Sequence, residues 1–145
     1  MKKSDRFRPI QQLTVAKEQD AAKALGQANQ LLDEHEHRLH ELQNYRTEYQ
    51  QQLMQRGQGG FTAAKMMEMR RFLQSLDQAI LQQQQSVEVL RKEREKMRQQ
   101  WQQAHGRTVA MEKVVLRYQE DEAYHQNKRE QKESDEMAQR GKRER

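Results

Sequence analysis

From Met66 to Tyr118 one set of positions steps along the chain by three and four residues in strict alternation. The set is Met66, Met69, Leu73, Leu76, Ile80, Gln83, Val87, Leu90, Arg94, Met97, Trp101, Ala104, Thr108, Met111, Val115 and Tyr118. A mean step of 3.5 residues is the period of a coiled-coil seam, and a helix carrying it needs a partner along its length. An earlier stretch has the same spacing: Ala21, Leu25, Ala28, Leu32, His35, Leu39, Leu42, Arg46, Tyr49 and Leu53, with Ile10 and Leu13 continuing it less regularly at the front. The pattern predicts helix 1 over about residues 9–56 and helix 2 over about 62–130, with a charged tail to 145.

Between them lies Arg56-Gly57-Gln58-Gly59-Gly60, predicted as a turn over 57–61 because glycine relaxes the backbone and admits left-handed conformations. No Lys-Ser or Lys-Thr follows these glycines, so they do not make a phosphate loop. Thr62 is placed to cap helix 2, and Phe61 with Met66 has the spacing of a hydrophobic staple. Pro9 suits the first turn of helix 1, which leaves residues 1–8 as a loose basic arm. A short turn makes the helices antiparallel neighbours. Folding about Gly59 brings His35 close to Gln83, a polar pair that can fix register inside an apolar seam. The same fold uses up helix 1 at about residue 107 and predicts that Thr108, Met111, Val115 and Tyr118 form an unpaired overhang. Gly106, near that point, is either a hinge or a tolerated glycine.

Composition narrows this picture to an all-α protein, a two-helix antiparallel coiled-coil hairpin with a longer C-terminal helix and a single elongated domain. Of 145 residues 33% are hydrophobic and 34% charged, with one proline and a mean hydropathy of −1.36. A globular domain normally carries about 45–50% apolar residues, so the apolar residues here suffice for a stripe and not for a thick core. There is no cysteine, which removes disulfides and thiolate metal sites. No apolar run has the length of a membrane span, and the start MKKSDRFRPI lacks the apolar segment of a signal peptide, so the expected location is the cytoplasm. The net charge of +5 comes from twenty-seven basic residues interleaved with twenty-two acidic ones. Such mixing describes a solvated helix surface better than a nucleic-acid-binding stripe.

Candidate chemistry is sparse. His37 and Glu41 have the i, i+4 spacing of a helical metal pair, but no further ligand shares their face, so no metal and no cofactor is expected. A two-helix hairpin offers no enclosed pocket for catalysis, and the chain is expected not to be an enzyme. Trp101 falls on the seam. Phe72 and Ala79 are more informative, because they occupy flanking g positions that are normally charged. With Leu76 and Gln83 they make a second apolar stripe beside the first. It is either a binding surface or a face that helix 1 covers with Tyr45.

Several motifs spread over nearly the whole length carry a family resemblance. They are Ala24-Leu25-Gly26, Leu42-x-x-Tyr45-Arg46-x-x-Tyr49, Phe72-x-x-x-Leu76-x-x-Ala79-Ile80, Trp101, Glu112-Lys113 and Arg117-Tyr118. Near the end stands Lys128-Arg129-Glu130-Gln131-Lys132-x-x-Asp135-Glu136-x-Ala138-x-Arg140, the most specific of them. In these the chain resembles the FliJ family of flagellar export proteins. The resemblance implies a component of the bacterial flagellar type III export apparatus, on which motility and chemotaxis depend. It implies a non-enzymatic central stalk, similar in shape to that of rotary ATPases, with its termini directed into the hexameric export ATPase FliI. It also implies contacts with the export gate protein FlhA and with export chaperones, and a peripheral position on the cytoplasmic side of the membrane.

Carried over position by position, the resemblance assigns the gate contact to Phe72, Leu76, Ala79 and Gln83, where some relatives have histidine at the last. It assigns the ATPase contact to Leu13, Trp101, Met111, Val115, Arg117, Tyr118, Lys132, Asp135, Glu136 and Arg140. The readings to be set against it are a generic structural coiled coil, a stalk of a virulence type III secretion system, and an RNA-binding basic rod whose affinity would fall steeply with salt.

Overall fold

The structure is a computed structural model and describes residues 1–57 and 59–144. It consists of α1, Lys3–Gly57, and α2, Ala63–Arg143, in an all-α antiparallel hairpin. The chain divides into two compact units: unit 1 is Met1–Ala21 with Trp101–Arg145, and unit 2 is Ala22–Gln100.

Unit 2 contains the turn. Gly60 adopts φ +90°, a left-handed conformation that a Cβ would strain. The Thr62 hydroxyl accepts a bond from the Lys65 N–H at 3.3 Å, the predicted N-cap. The predicted seam of both helices is then buried or half-buried throughout, centred on Leu32, Leu76, Ile80 and Val87, the last only 2% exposed. His35 and Gln83 meet in it as expected: the Gln83 amide donates to the His35 carbonyl at 3.0 Å and lies 3.1 Å from His35 Nδ1. On the e-position flank Arg46 binds Asp77 and Arg91 lies 3.3 Å from Glu36. Arg94, also in the seam, is the exception, since its Nε is buried without a hydrogen-bond partner.

In unit 1 two expectations are corrected. Residues 1–8 are not a loose arm, because α1 starts at Lys3 rather than near residue 9 and continues through Pro9. Proline there removes one helical hydrogen bond. The turn before it is held instead by tertiary contacts: Ser4 binds Glu122 through both its N–H and its hydroxyl, at 3.0 and 2.7 Å, and Phe7 stacks on Tyr118 at 5.3 Å. For the same reason Thr108, Met111, Val115 and Tyr118 are not an overhang. Thr108 is 4% exposed and its hydroxyl donates to the Thr14 carbonyl at 3.2 Å, while Val115 is buried. The part of α2 without a neighbour among the described residues begins after Glu122. It is exposed at every position from Ala123 to Glu144, and it stays helical to Arg143 rather than to about 130.

Ile10 and Leu13 are not on the seam either. The three-and-four spacing, extended back from Ala21, falls on Glu18, Thr14, Gln11, Phe7 and Ser4, and all five are buried or half-buried, with Val15 beside them. No helix among the described residues is long and apolar enough to cross a membrane.

Candidate partner-binding surfaces

The four candidate gate-contact residues all lie in unit 2, on the same stretch of α2. The structure separates them by depth. Leu76 is a core residue and Gln83 is engaged with His35, whereas Ala79 is half-buried and Phe72 is 40% exposed. Phe72 is held by α1, with the Tyr45 ring edge-on at 6.3 Å and the Tyr49 ring tilted at 4.7 Å. Tyr45 therefore supports Phe72 without covering it, and is itself exposed. An aromatic cluster drawn from both helices results, with the aliphatic seam beneath it. Tyr49 belongs to that cluster, and its i, i+4 spacing from Tyr45 is the signal that places both on one face of α1.

The candidate ATPase-contact residues all lie in unit 1. Val115, Tyr118, Met111 and Trp101 are turned toward the seam, so each also holds the hairpin together. Trp101 stacks parallel on His105 at 5.1 Å, and His105 Nδ1 sits 2.6 Å from Glu18 on α1. The bond with His105, and next the nearby Thr108 hydroxyl, hold the Glu18 carboxyl below its ordinary range. Glu122 is lowered likewise, first by the Ser4 hydroxyl and then by the Ser4 N–H. Lys3 Nζ lies 5.6 Å from the centre of the Tyr118 ring.

Leu13, 54% exposed, stands off the seam, and Arg117 is exposed. Lys132, Asp135, Glu136 and Arg140 all fall on the exposed helix after Glu122. There the seam spacing continues through His125, Arg129, Lys132, Glu136, Gln139 and Arg143, every one polar. Such a helix has no apolar face to bury. It is stabilised by local pairs such as Gln126 with Glu130 at 3.1 Å and Asp121 with His125 at 3.6 Å. His37 and Glu41 pair at 3.0 Å, and no group of three or more potential metal ligands occurs among the described residues.

The flagellar FliJ protein family matches residues 2–145, which is almost the entire chain. The chain belongs to the FliJ family. It is therefore a component of the bacterial flagellar type III protein-export system, a structural class of part with no enzyme known in it. The match covers both units, so the seam-bound residues of unit 1 and the aromatic cluster of unit 2 alike belong to the family region. No curated protein and no solved structure matches the chain.

Proposed function

We propose that the chain is a non-enzymatic stalk of flagellar export, joining the export ATPase FliI through unit 1 to the gate protein FlhA through unit 2. The observation that carries this reading is the helix after Glu122: it is exposed throughout, polar at every position that continues the seam, and has no neighbour among the described residues to explain its length. A helix held by its own i, i+4 pairs in solvent needs no partner to form, and its whole surface is open to one. In this reading Lys132, Asp135, Glu136 and Arg140 meet the ATPase directly, with Leu13 and Arg117 as side contacts. Trp101, Met111, Val115 and Tyr118 act by holding α1 against α2. The protein works in the cytoplasm at the membrane face of the flagellar base, and also assists delivery by export chaperones.

The gate contact rests on Phe72, which is exposed although its neighbours in the seam are not. Phe72 and Ala79 form the reachable surface, with Leu76 and Gln83 as its support.

The deciding measurement is ATP hydrolysis and ring assembly by the purified export ATPase, alone, with the full chain, and with a chain ending at Ala123. That end point keeps every contact between α1 and α2 described above, so loss of folding does not confuse the result. Stimulation by the full chain and none by the short one is expected. Equal stimulation by both would remove the exposed helix from the mechanism, and no effect of either would overturn the stalk.

A further inference from the structure

Beside Phe72 the surface of unit 2 forms a groove of about 510 Å³. It is lined by the apolar side chains of Tyr49, Met69 and Phe72 and by Ser75, and its charged groups are Arg56, Lys65 and Arg71 against the single carboxylate Glu68. None of these three cations has a carboxylate within 4 Å among the described residues, as holds for Lys23, Arg38 and Arg70 of the same unit; Arg46, Arg91 and Arg98 are the paired ones. Charge collects here in the sequence as well. Between Glu48 and Asp77 stand Arg56, Lys65, Arg70 and Arg71 against Glu68 alone.

The apolar lining is as unusual as the charge. Tyr45, Tyr49, Phe61 and Phe72 are half of the chain's aromatics (three Phe, one Trp and four Tyr) and lie within residues 45–72. Met54 and Met67, both exposed, lie in the same part of the sequence. Aromatic residues, methionine and arginine are the types enriched at protein interfaces, the aromatics and arginine as anchors and methionine as an adaptable filler.

From these features we infer that the groove receives an acidic, amphipathic peptide segment that inserts an apolar side chain between Tyr49 and Phe72 while its carboxylates meet Arg56, Lys65 and Arg71. The inference rests on the gate reading above and gives that partner its chemistry. A protein segment fits better than a nucleic acid, because the basic cluster ends abruptly: α2 has no lysine or arginine from Phe72 to Leu90. A polyanion running along α2 from here would find no further phosphate partners on that helix, whereas a short acidic segment needs none.

The test uses the full chain and a neutralised variant, Arg56→Gln with Lys65→Gln and Arg71→Gln, whose helicity is checked by circular dichroism because all three side chains are exposed. Each is titrated with a short amphipathic peptide bearing leucines on one face and glutamates on the other, with the same peptide carrying lysines instead, and with a single-stranded RNA. Binding of the acidic peptide, weakened about tenfold or more in the neutralised variant (about 1.4 kcal/mol) and by Phe72→Ala, with no binding of the lysine peptide, is the expected result. No acidic-peptide binding, equal binding to the neutralised variant, or preferential binding of RNA overturns the inference. The cytoplasmic part of the gate protein is titrated in parallel. Gate binding that is lost with Phe72→Ala but unchanged in the neutralised variant would keep the gate reading and remove the acidic segment, while gate binding indifferent to both would remove the reading itself.

Discussion

Unit 2 closes its helices on the aliphatic residues Leu32, Leu76, Ile80 and Val87, whereas unit 1 adds to Val115 and the Phe7–Tyr118 stack a run of polar contacts, Ser4 with Glu122, Thr14 with Thr108 and Glu18 with His105. The two use one spacing with a different share of polar contacts. Burying an aliphatic side chain contributes about 1.5–3 kcal/mol, while an intramolecular hydrogen bond contributes a net of about 1 kcal/mol because it replaces bonds to water. Hydrogen bonds, however, demand one geometry. Unit 1 is therefore held in a precise register, and unit 2 draws more of its hold from aliphatic burial. We expect unit 2 to be the firmer, in keeping with the proposed division of labour, in which it presents an aromatic surface while unit 1 carries the residues assigned to the ATPase.

The largest expected effect tests the firm side. Ile80→Ala should lower the unfolding free energy by about 2–4 kcal/mol in urea titrations, and Leu32→Ala should do the same. A cost no greater than that of Ser4→Ala would break the comparison. Next in size, amide hydrogen exchange should be about tenfold or more faster in residues 3–18 than in residues 28–46, corresponding to at least about 1.4 kcal/mol between the opening reactions. Uniform exchange along α1 would mean that the polar seam is as firm as the aliphatic one. Arg94 gives a change of opposite sign: Arg94→Met removes a buried Nε that has no partner and should raise stability by about 1 kcal/mol, read as a higher urea midpoint.

The smallest effect is set by pH. Glu18 and Glu122 are both held below the ordinary carboxylate range in the folded chain. Their contribution is thus present above the unfolded pKa and is lost as pH falls through the lowered folded values. The contacts of unit 1 between α1 and α2 should loosen in that acid window. The fluorescence of Trp101, the chain's single tryptophan, reports it through the stack on His105. Glu18→Gln should flatten the acid transition, and an unchanged transition would show that the Glu18 contact with His105 does not hold the helices.

The seam from Ala21 to Leu53 and from Met66 to Tyr118 was legible because its apolar residues are dense enough to reveal the spacing through the polar intruders His35, Arg46, Gln83 and Arg94. The front of α1 was not, because hydrophobicity points there to the wrong residues. Ile10 and Leu13 are apolar but exposed, while the seam itself, apart from Phe7, is written in Ser4, Gln11, Thr14 and Glu18. Missing that phase also misplaced the start of the exposed helix, from Glu122 back to about residue 107. Continuing the spacing instead of the hydrophobicity finds both. On the candidate surface, the excess charge of residues 49–76 was visible in the sequence, but only folding sets Arg56 of one helix beside Lys65 and Arg71 of the other.

The polar strip that ends α2 also has a kinetic consequence. A helix whose contact positions are His125, Arg129, Lys132, Glu136, Gln139 and Arg143 is drawn to a complementary surface by long-range attraction, with little apolar area to delay its departure. For the contact proposed above this predicts fast encounters and brief residence, both responsive to ionic strength. A part bound in this way would be exchangeable during operation, the lifetime of its assembly being set by salt and local concentration rather than by unfolding.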